Sequence, residues 1–168
     1  MSRGRRTSRS APRPTGPPRS SSRAARRRGP SRSRTSGGRG LAVVAAPGVP
    51  FGADLETVEP RSPAFMEDFF LASERAWVGS HPESARAAAA TLVWSVKESV
   101  LKALRTGLRE DTRAVETLPG GALFLPRSTA TWRPVGALVR RSGLVFEGLA
   151  TEREGQILTL VRLRSEGT

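Results

Sequence analysis

The chain has no cysteine, which excludes disulfides, thiolate metal sites and cysteine nucleophiles. It has one histidine, His81, too few for a His-rich zinc site and a poor basis for a Ser-His-Asp triad. No stretch approaches the ~20 apolar residues of a membrane-spanning helix. The apolar run over residues 41–53 is broken by Pro47, Gly48 and Pro50. Acidic residues are absent from residues 1–40, which hold 13 Arg, and the rest of the chain sets 15 basic against 15 acidic side chains. The net charge of +13 therefore belongs to the N-terminal segment, and the body is formally neutral. Residues 1–36 offer Arg, Ser, Pro and Gly with almost nothing to bury, so they are expected to be a disordered tail. With no apolar h-region the tail is not a secretory signal, and its charge suits non-specific, salt-dependent contact with nucleic acid or another polyanion. Lysine is also scarce. Lys97 and Lys102 are the only two, within six residues of each other, in a chain that otherwise uses arginine. Such placement suggests that a compact ammonium matters there.

Around those lysines lies the densest chemistry of the chain. Asp54 and Glu56 stand two apart in Phe51-Gly52-Ala53-Asp54-Leu55-Glu56, a run that reads as a strand, so both carboxylates face one side. Glu98 and Lys102 stand four apart in an apolar-periodic helix and share a face, with Trp94 one turn earlier. Brought together, strand and helix place three carboxylates around a divalent cation with an ammonium beside it. Oxygen ligands of this kind suit magnesium at a phosphate-handling site. Arg61 is a candidate phosphate contact. Trp94 reads as core, and His81, before Pro82, as a solvated loop residue.

These motifs carry a resemblance. Gly52-Ala53-Asp54-Leu55-Glu56 and Trp94-Ser95-Val96-Lys97-Glu98-Ser99-Val100-Leu101-Lys102 resemble the two signature motifs of the 4'-phosphopantetheinyl transferases. Phe69-Phe70, with Glu74 beyond, is similar to the connecting helices of that family, and Thr106-Gly107-Leu108 resembles the turn after the second motif. The likeness runs from about Ser36 to the C-terminus and is specific mainly over residues 52–108. It implies magnesium-dependent transfer of the phosphopantetheine arm of coenzyme A to a serine of an apo acyl or peptidyl carrier protein. Asp54, Glu56 and Glu98 are then the metal ligands. Glu98 or a bound water accepts the serine proton, and Lys102 stabilises charge on the leaving 3',5'-ADP. Lys97, Lys102, Ser36 and Arg61 are the implied coenzyme contacts, although Lys97 lies on a different helical face from Glu98. Thr35-Ser36 stands where similar members carry Ser-His-Ser, so a hydroxyl replaces a charged phosphate contact. The chain resembles the C-terminal half of the surfactin-synthetase type, or one subunit of the holo-acyl-carrier-protein synthase type, whose sites are completed by oligomerising. A cytoplasmic homo-oligomer without a membrane partner is implied. Two alternatives stand beside it: a degenerate transferase domain that only binds coenzyme A or a carrier protein, and a polyanion-binding protein acting through its tail.

The domain proper is expected over residues 37–168. Residues 41–46 read as a short buried strand and residues 47–50 as a turn. Ser62-Pro63 signals a helix start, and Ser80 with Glu83 resembles a capping box. The long helix runs over residues 87–104 with Leu92, Val96, Val100 and Leu104 on one stripe, and Gly107 is expected to cap it. Strands are expected at residues 122–125, 131–138, 144–150 and 157–163, with Pro134 making the second an edge or a doubtful strand. The fold class is α+β, an antiparallel sheet with helices packed on one face.

Overall fold

The computed structural model describes residues 31–36, 39–119 and 131–165. Strands β1 (Ser31–Ser36) and β2 (Arg39–Val44) form an antiparallel pair of their own. Strand β3 (Phe51–Thr57) leads into three helices, α1 (Pro63–Phe69), α2 (Ala72–Gly79) and α3 (Glu83–Leu104). Strands β4 (Val115–Leu118), β5 (Arg133–Val139), β6 (Leu144–Arg153) and β7 (Gln156–Leu163) follow. The second sheet is antiparallel in the order β3-β7-β6-β5-β4, so the first and last strands of the chain's main sheet pair beside each other. The α+β expectation holds, with the helices packed against this five-stranded sheet.

Helix α3 is the centrepiece. Its alanine-rich run lets neighbours approach closely, and Leu92, Val96, Val100 and Leu101 are fully buried against Val115, Ala137, Phe146, Ala150 and Ile157. Its far side meets α1 and α2 through Phe70, Val78, Ala89, Ala90 and Val93. Trp94 joins this second cluster, its ring 5.0 Å from Phe65 and 5.5 Å from Phe69, so its core reading stands.

Ser62 caps α1 as expected, accepting from the Phe65 N–H at 3.1 Å, with Pro63 in the first turn. Three expectations about the helices and their ends are corrected. Ser80 and Glu83 form no capping box: α3 starts after Pro82 with no side-chain cap. A reaching-back carboxylate occurs instead one helix earlier, where Glu74 accepts from the Leu71 N–H at 2.7 Å. Leucine has no oxygen to complete the reciprocal half. The left-handed cap of α3 is Arg105 (φ 60°), whereas Gly107 (φ 56°) opens the 3-10 turn Gly107–Arg109. His81 is buried at 8% exposure, its Nδ1 2.7 Å from the Trp77 carbonyl and its ring edge-on to Trp77 at 4.4 Å. The ring fills the corner between α2 and α3, where packing outweighs the local polarity of the sequence.

Among the strands, residues 122–125 lie outside the described residues, and β4 was not anticipated. Pro134 sits in an interior strand. It lies beyond the end of β4, whose last pair is Leu118 with Gly136, so its missing N–H leaves no ladder position empty on that side. Strand β2 begins and ends earlier than expected and is not buried. Ala42 and Val44 are exposed because this hairpin stands outside the main sheet. Strand β1 falls within the segment expected to lack structure. Strand pairing uses backbone groups, which the edge of β2 supplies whatever the side chains. The β6–β7 turn places both Glu154 (φ 53°) and Gly155 (φ 72°) in the left-handed region, the geometry of a two-residue hairpin.

Candidate active site

The strand period aligns Gly52, Asp54 and Glu56 on the side of β3 that meets α3. Gly52 sets the spacing. A Cβ there would lie 1.8 Å from the Ser99 carbonyl oxygen and 2.9 Å from the Ala103 nitrogen, both backbone atoms. Any side chain would force the helix off the strand. Across β3, Asp54 pairs with Thr159 of β7, whose hydroxyl meets Ser95 at 2.8 Å and Ser99 at 2.7 Å on α3.

With helix and strand so close, Lys102 reaches across. Its Nζ is 2.5 Å from Asp54 Oδ1 and 3.7 Å from Glu98 Oε2. Asp54 is fully buried, Glu98 nearly so, and the Lys102 side chain is 22% exposed. The structure therefore brings Asp54, Glu98 and Lys102 together, two carboxylates sharing one ammonium at the rim of the sheet. Glu56 takes a different cation: its Oε2 is 3.4 Å from Arg61, which also bonds Glu59 at 2.7 Å and lies 5.1 Å over the Phe65 ring. Among the described residues no group of three His, Cys, Asp or Glu side chains is gathered so as to hold a metal ion.

The donor set can be judged on its chemistry. Asp54, Glu56 and Glu98 offer only carboxylate oxygens, the hard ligands that magnesium takes. Asp54 and Glu98 already converge on a cation, the Lys102 ammonium, which stands in the place of positive charge between them. The residues fit a hard divalent ion in type, with Glu56 one strand period from Asp54.

Lys97 is elsewhere. Its side chain is fully buried on the opposite side of α3, with Nζ 2.9 Å from Glu74 Oε2, 2.9 Å from the Thr112 carbonyl and 2.5 Å from the Val115 carbonyl. Glu74 accepts in turn from the Thr117 N–H at 2.8 Å and hydroxyl at 3.0 Å. Burial pulls the Lys97 pKa below the ordinary lysine value, with the Glu74 carboxylate opposing the shift. The ammonium thus ties α3 to α2 and β4 and does not reach the Asp54 side. This corrects its expected place among the coenzyme contacts. Ser36 ends β1, its backbone opposite Arg39.

Sequence reasoning passed over Thr159, Ser95, Ser99 and the site-facing role of Gly52. A signal was present: Ser95, Ser99 and Lys102 recur at spacings of four and three, a polar stripe along an otherwise apolar helix side. Glu152 was also missed. It lies opposite Ile157, which lies opposite Glu56, so the three share a row across β6, β7 and β3. Burial raises the pKa of its half-buried carboxyl.

Residues 50–127 match the model of a protein family described as the 4'-phosphopantetheinyl transferase superfamily, a span running from β3 past β4. No curated protein matches the chain.

Proposed function

We propose that this protein, whose residues 50–127 match the model of the 4'-phosphopantetheinyl transferase superfamily, moves the 4'-phosphopantetheine arm of coenzyme A onto a serine hydroxyl of an apo acyl or peptidyl carrier protein. The observation that supports this most directly is the meeting of Asp54 and Glu98 at Lys102 on the rim of β3. A concentrated pyrophosphate needs positive charge at its oxygens and an acceptor for the incoming hydroxyl proton, and this cluster offers both.

Asp54, Glu56 and Glu98 are the residues that would hold magnesium, and the bound ion would offset the charge of the pyrophosphate. Lys102, partly exposed, is placed to turn from the carboxylates toward a phosphate oxygen and steady the leaving 3',5'-ADP. Glu98, on the same helix turn, is the side chain we assign to take the serine proton. Arg61 holds Glu56 in place and is a second candidate for a phosphate contact, as is Ser36. The nucleophile is supplied by the carrier protein, so no serine of this chain acts in that role.

The domain is taken as residues 37–168, with the Arg-rich segment before it a non-specific tether for polyanions. A homo-oligomer is supported by the sheet face away from the helices, where Leu118 and Leu149 are exposed. No helix among the described residues is long and apolar enough to cross a membrane. We place the reaction in the cytoplasm on the strength of its proposed substrates.

The test is to incubate the protein with an apo carrier protein, coenzyme A and magnesium and to weigh the carrier by mass spectrometry. A gain of one phosphopantetheine group on a serine supports transfer. An unmodified carrier, from protein that still binds coenzyme A, supports the degenerate-domain reading instead.

A further inference from the structure

The face of α3 toward β7 is sewn down by three hydroxyls, all fully buried. Thr159 Oγ1 donates to the Ser95 carbonyl at 3.0 Å and lies 2.8 Å from Ser95 Oγ and 2.7 Å from Ser99 Oγ. A hydroxyl has one proton and two lone pairs. With the proton on the Ser95 carbonyl, both serines donate to Thr159, and its capacity is filled. Ser99 Oγ also lies 3.4 Å from the Thr159 carbonyl.

This clamp has a particular position. Thr159 is the direct strand partner of Asp54, and Ser99 is the residue after Glu98. One side chain therefore links the backbone that carries the strand carboxylate to the helix that carries the other carboxylate and Lys102. Apolar contacts hold α3 against the sheet without fixing its rotation sharply, because dispersion and burial are not directional. Hydrogen bonds to two turns at once are directional. A rotation of about 20° carries a carboxylate roughly 6 Å from the helix axis through roughly 2 Å. Functional geometry tolerates only about 0.5 Å.

We infer that Thr159 is a positioning residue of the site: its hydroxyl fixes the rotation of α3 and so sets where Glu98 and Lys102 meet Asp54. The inference rests on the reading of Asp54, Glu56 and Glu98 as the cation ligands. It extends that site to a strand outside the stretch matched by the family, since β7 begins at Gln156.

The experiment compares Thr159→Val, which keeps the shape and removes the hydroxyl, with Thr159→Ser, which keeps the hydroxyl, in the full chain. Magnesium affinity is read by titration calorimetry without coenzyme or carrier, and the seating of α3 by the Glu98 and Lys102 side-chain carbon shifts in NMR at fixed pH without metal. Thr159→Val should weaken magnesium binding about 10- to 100-fold, the usual effect of losing a group that orients a metal ligand. It should also move the Glu98 and Lys102 side-chain shifts, and Thr159→Ser should restore both. Ser99→Ala removes the other end of one bond and serves if Thr159→Val does not fold; it should weaken binding in the same direction. Unmutated affinity in a folded Thr159→Val protein overturns the inference, as does a loss that Thr159→Ser fails to restore. If the unmutated protein binds no magnesium, the metal reading fails on its own. The metal-free shifts then decide on Thr159, and unmoved Glu98 and Lys102 side-chain shifts in Thr159→Val overturn it.

Discussion

Lys97 and Lys102 sit five residues apart on one helix, and their surroundings differ in nearly every respect. Lys97 is enclosed by Glu74 and two carbonyls, all contributed by elements packed on the far side of α3. Lys102 lies at the sheet rim between two carboxylates and keeps contact with solvent. The first arrangement is filled: each donor of the ammonium has an acceptor and Glu74 accepts from three further groups. Such a pair costs desolvation energy and is held by its completeness. The second gathers two carboxylates around one ammonium at a rim that solvent reaches. The comparison separates a lysine enclosed within the fold from one at a solvent-reached rim, the one we propose meets a phosphate, though both belong to one motif.

The largest effect expected is on stability, at the enclosed lysine. Lys97→Met leaves Glu74 charged and buried without its counter-ion and should cost about 3–5 kcal/mol of unfolding free energy. Adding Glu74→Leu should recover part of that loss. Transfer per folded molecule should change little, which a denaturant melt and a transfer assay on the same preparation will check. A stable Lys97→Met protein that has lost transfer would erase the distinction between the two lysines. The same residue gives a pH signature. Its folded pKa is lowered, so between that value and the unfolded ~10.4 the unfolded chain binds more protons, and stability should rise with pH across the window. The chain has no Cys or Tyr and only two Lys, which keeps this window nearly clear of other titrations. Lys97→Met should flatten the rise.

At the rim the main effect is kinetic. Glu98→Gln removes one negative charge with little change in shape and should lower transfer at least ~100-fold, about 2.7 kcal/mol in the barrier. The melting temperature should stay close to that of the unmutated protein, because Leu92, Val96 and Val100 are untouched. Equal transfer rates would reduce Glu98 to an i,i+4 helix partner of Lys102, a pairing worth a few tenths of a kcal/mol. Gly52→Ala tests the spacing on which the rim depends. Its Cβ meets backbone, so α3 must shift, at about 1–3 kcal/mol of stability and with reduced transfer. The smallest effect belongs to Glu152→Gln. Burial raises the Glu152 pKa, so its ionised form opposes folding above that pKa and the opposition disappears below the unfolded value of ~4.3. The substitution should raise the melting temperature by up to ~2 °C at neutral pH and have no effect near pH 3.

Much of this was legible locally. Alternation at Asp54 and Glu56, the i,i+4 pair Glu98 and Lys102, and the Ser62-Pro63 start depend on neighbours within a few residues, and each stands where its period put it. Residues whose place depends on how the chain packs, rather than on a local period, were not legible. His81 looks solvated until α2 folds Trp77 against it, and Gly107 looks like the cap until Arg105 takes the left-handed position.

The order of residues alone determined the long helix and the strands β3, β5, β6 and β7, the charge division between the N-terminal segment and the rest, and the presence of an acidic strand and a Lys-Glu helix. Backbone periodicity and composition are properties of short stretches, so one chain suffices to read them. The tertiary structure alone decided which lysine is enclosed, that Thr159 grips Ser95 and Ser99, and that Gly52 admits the helix to the strand. Those facts depend on which face of α3 meets β7 and which meets α2 and β4, a choice made by packing of elements up to 64 residues apart along the chain.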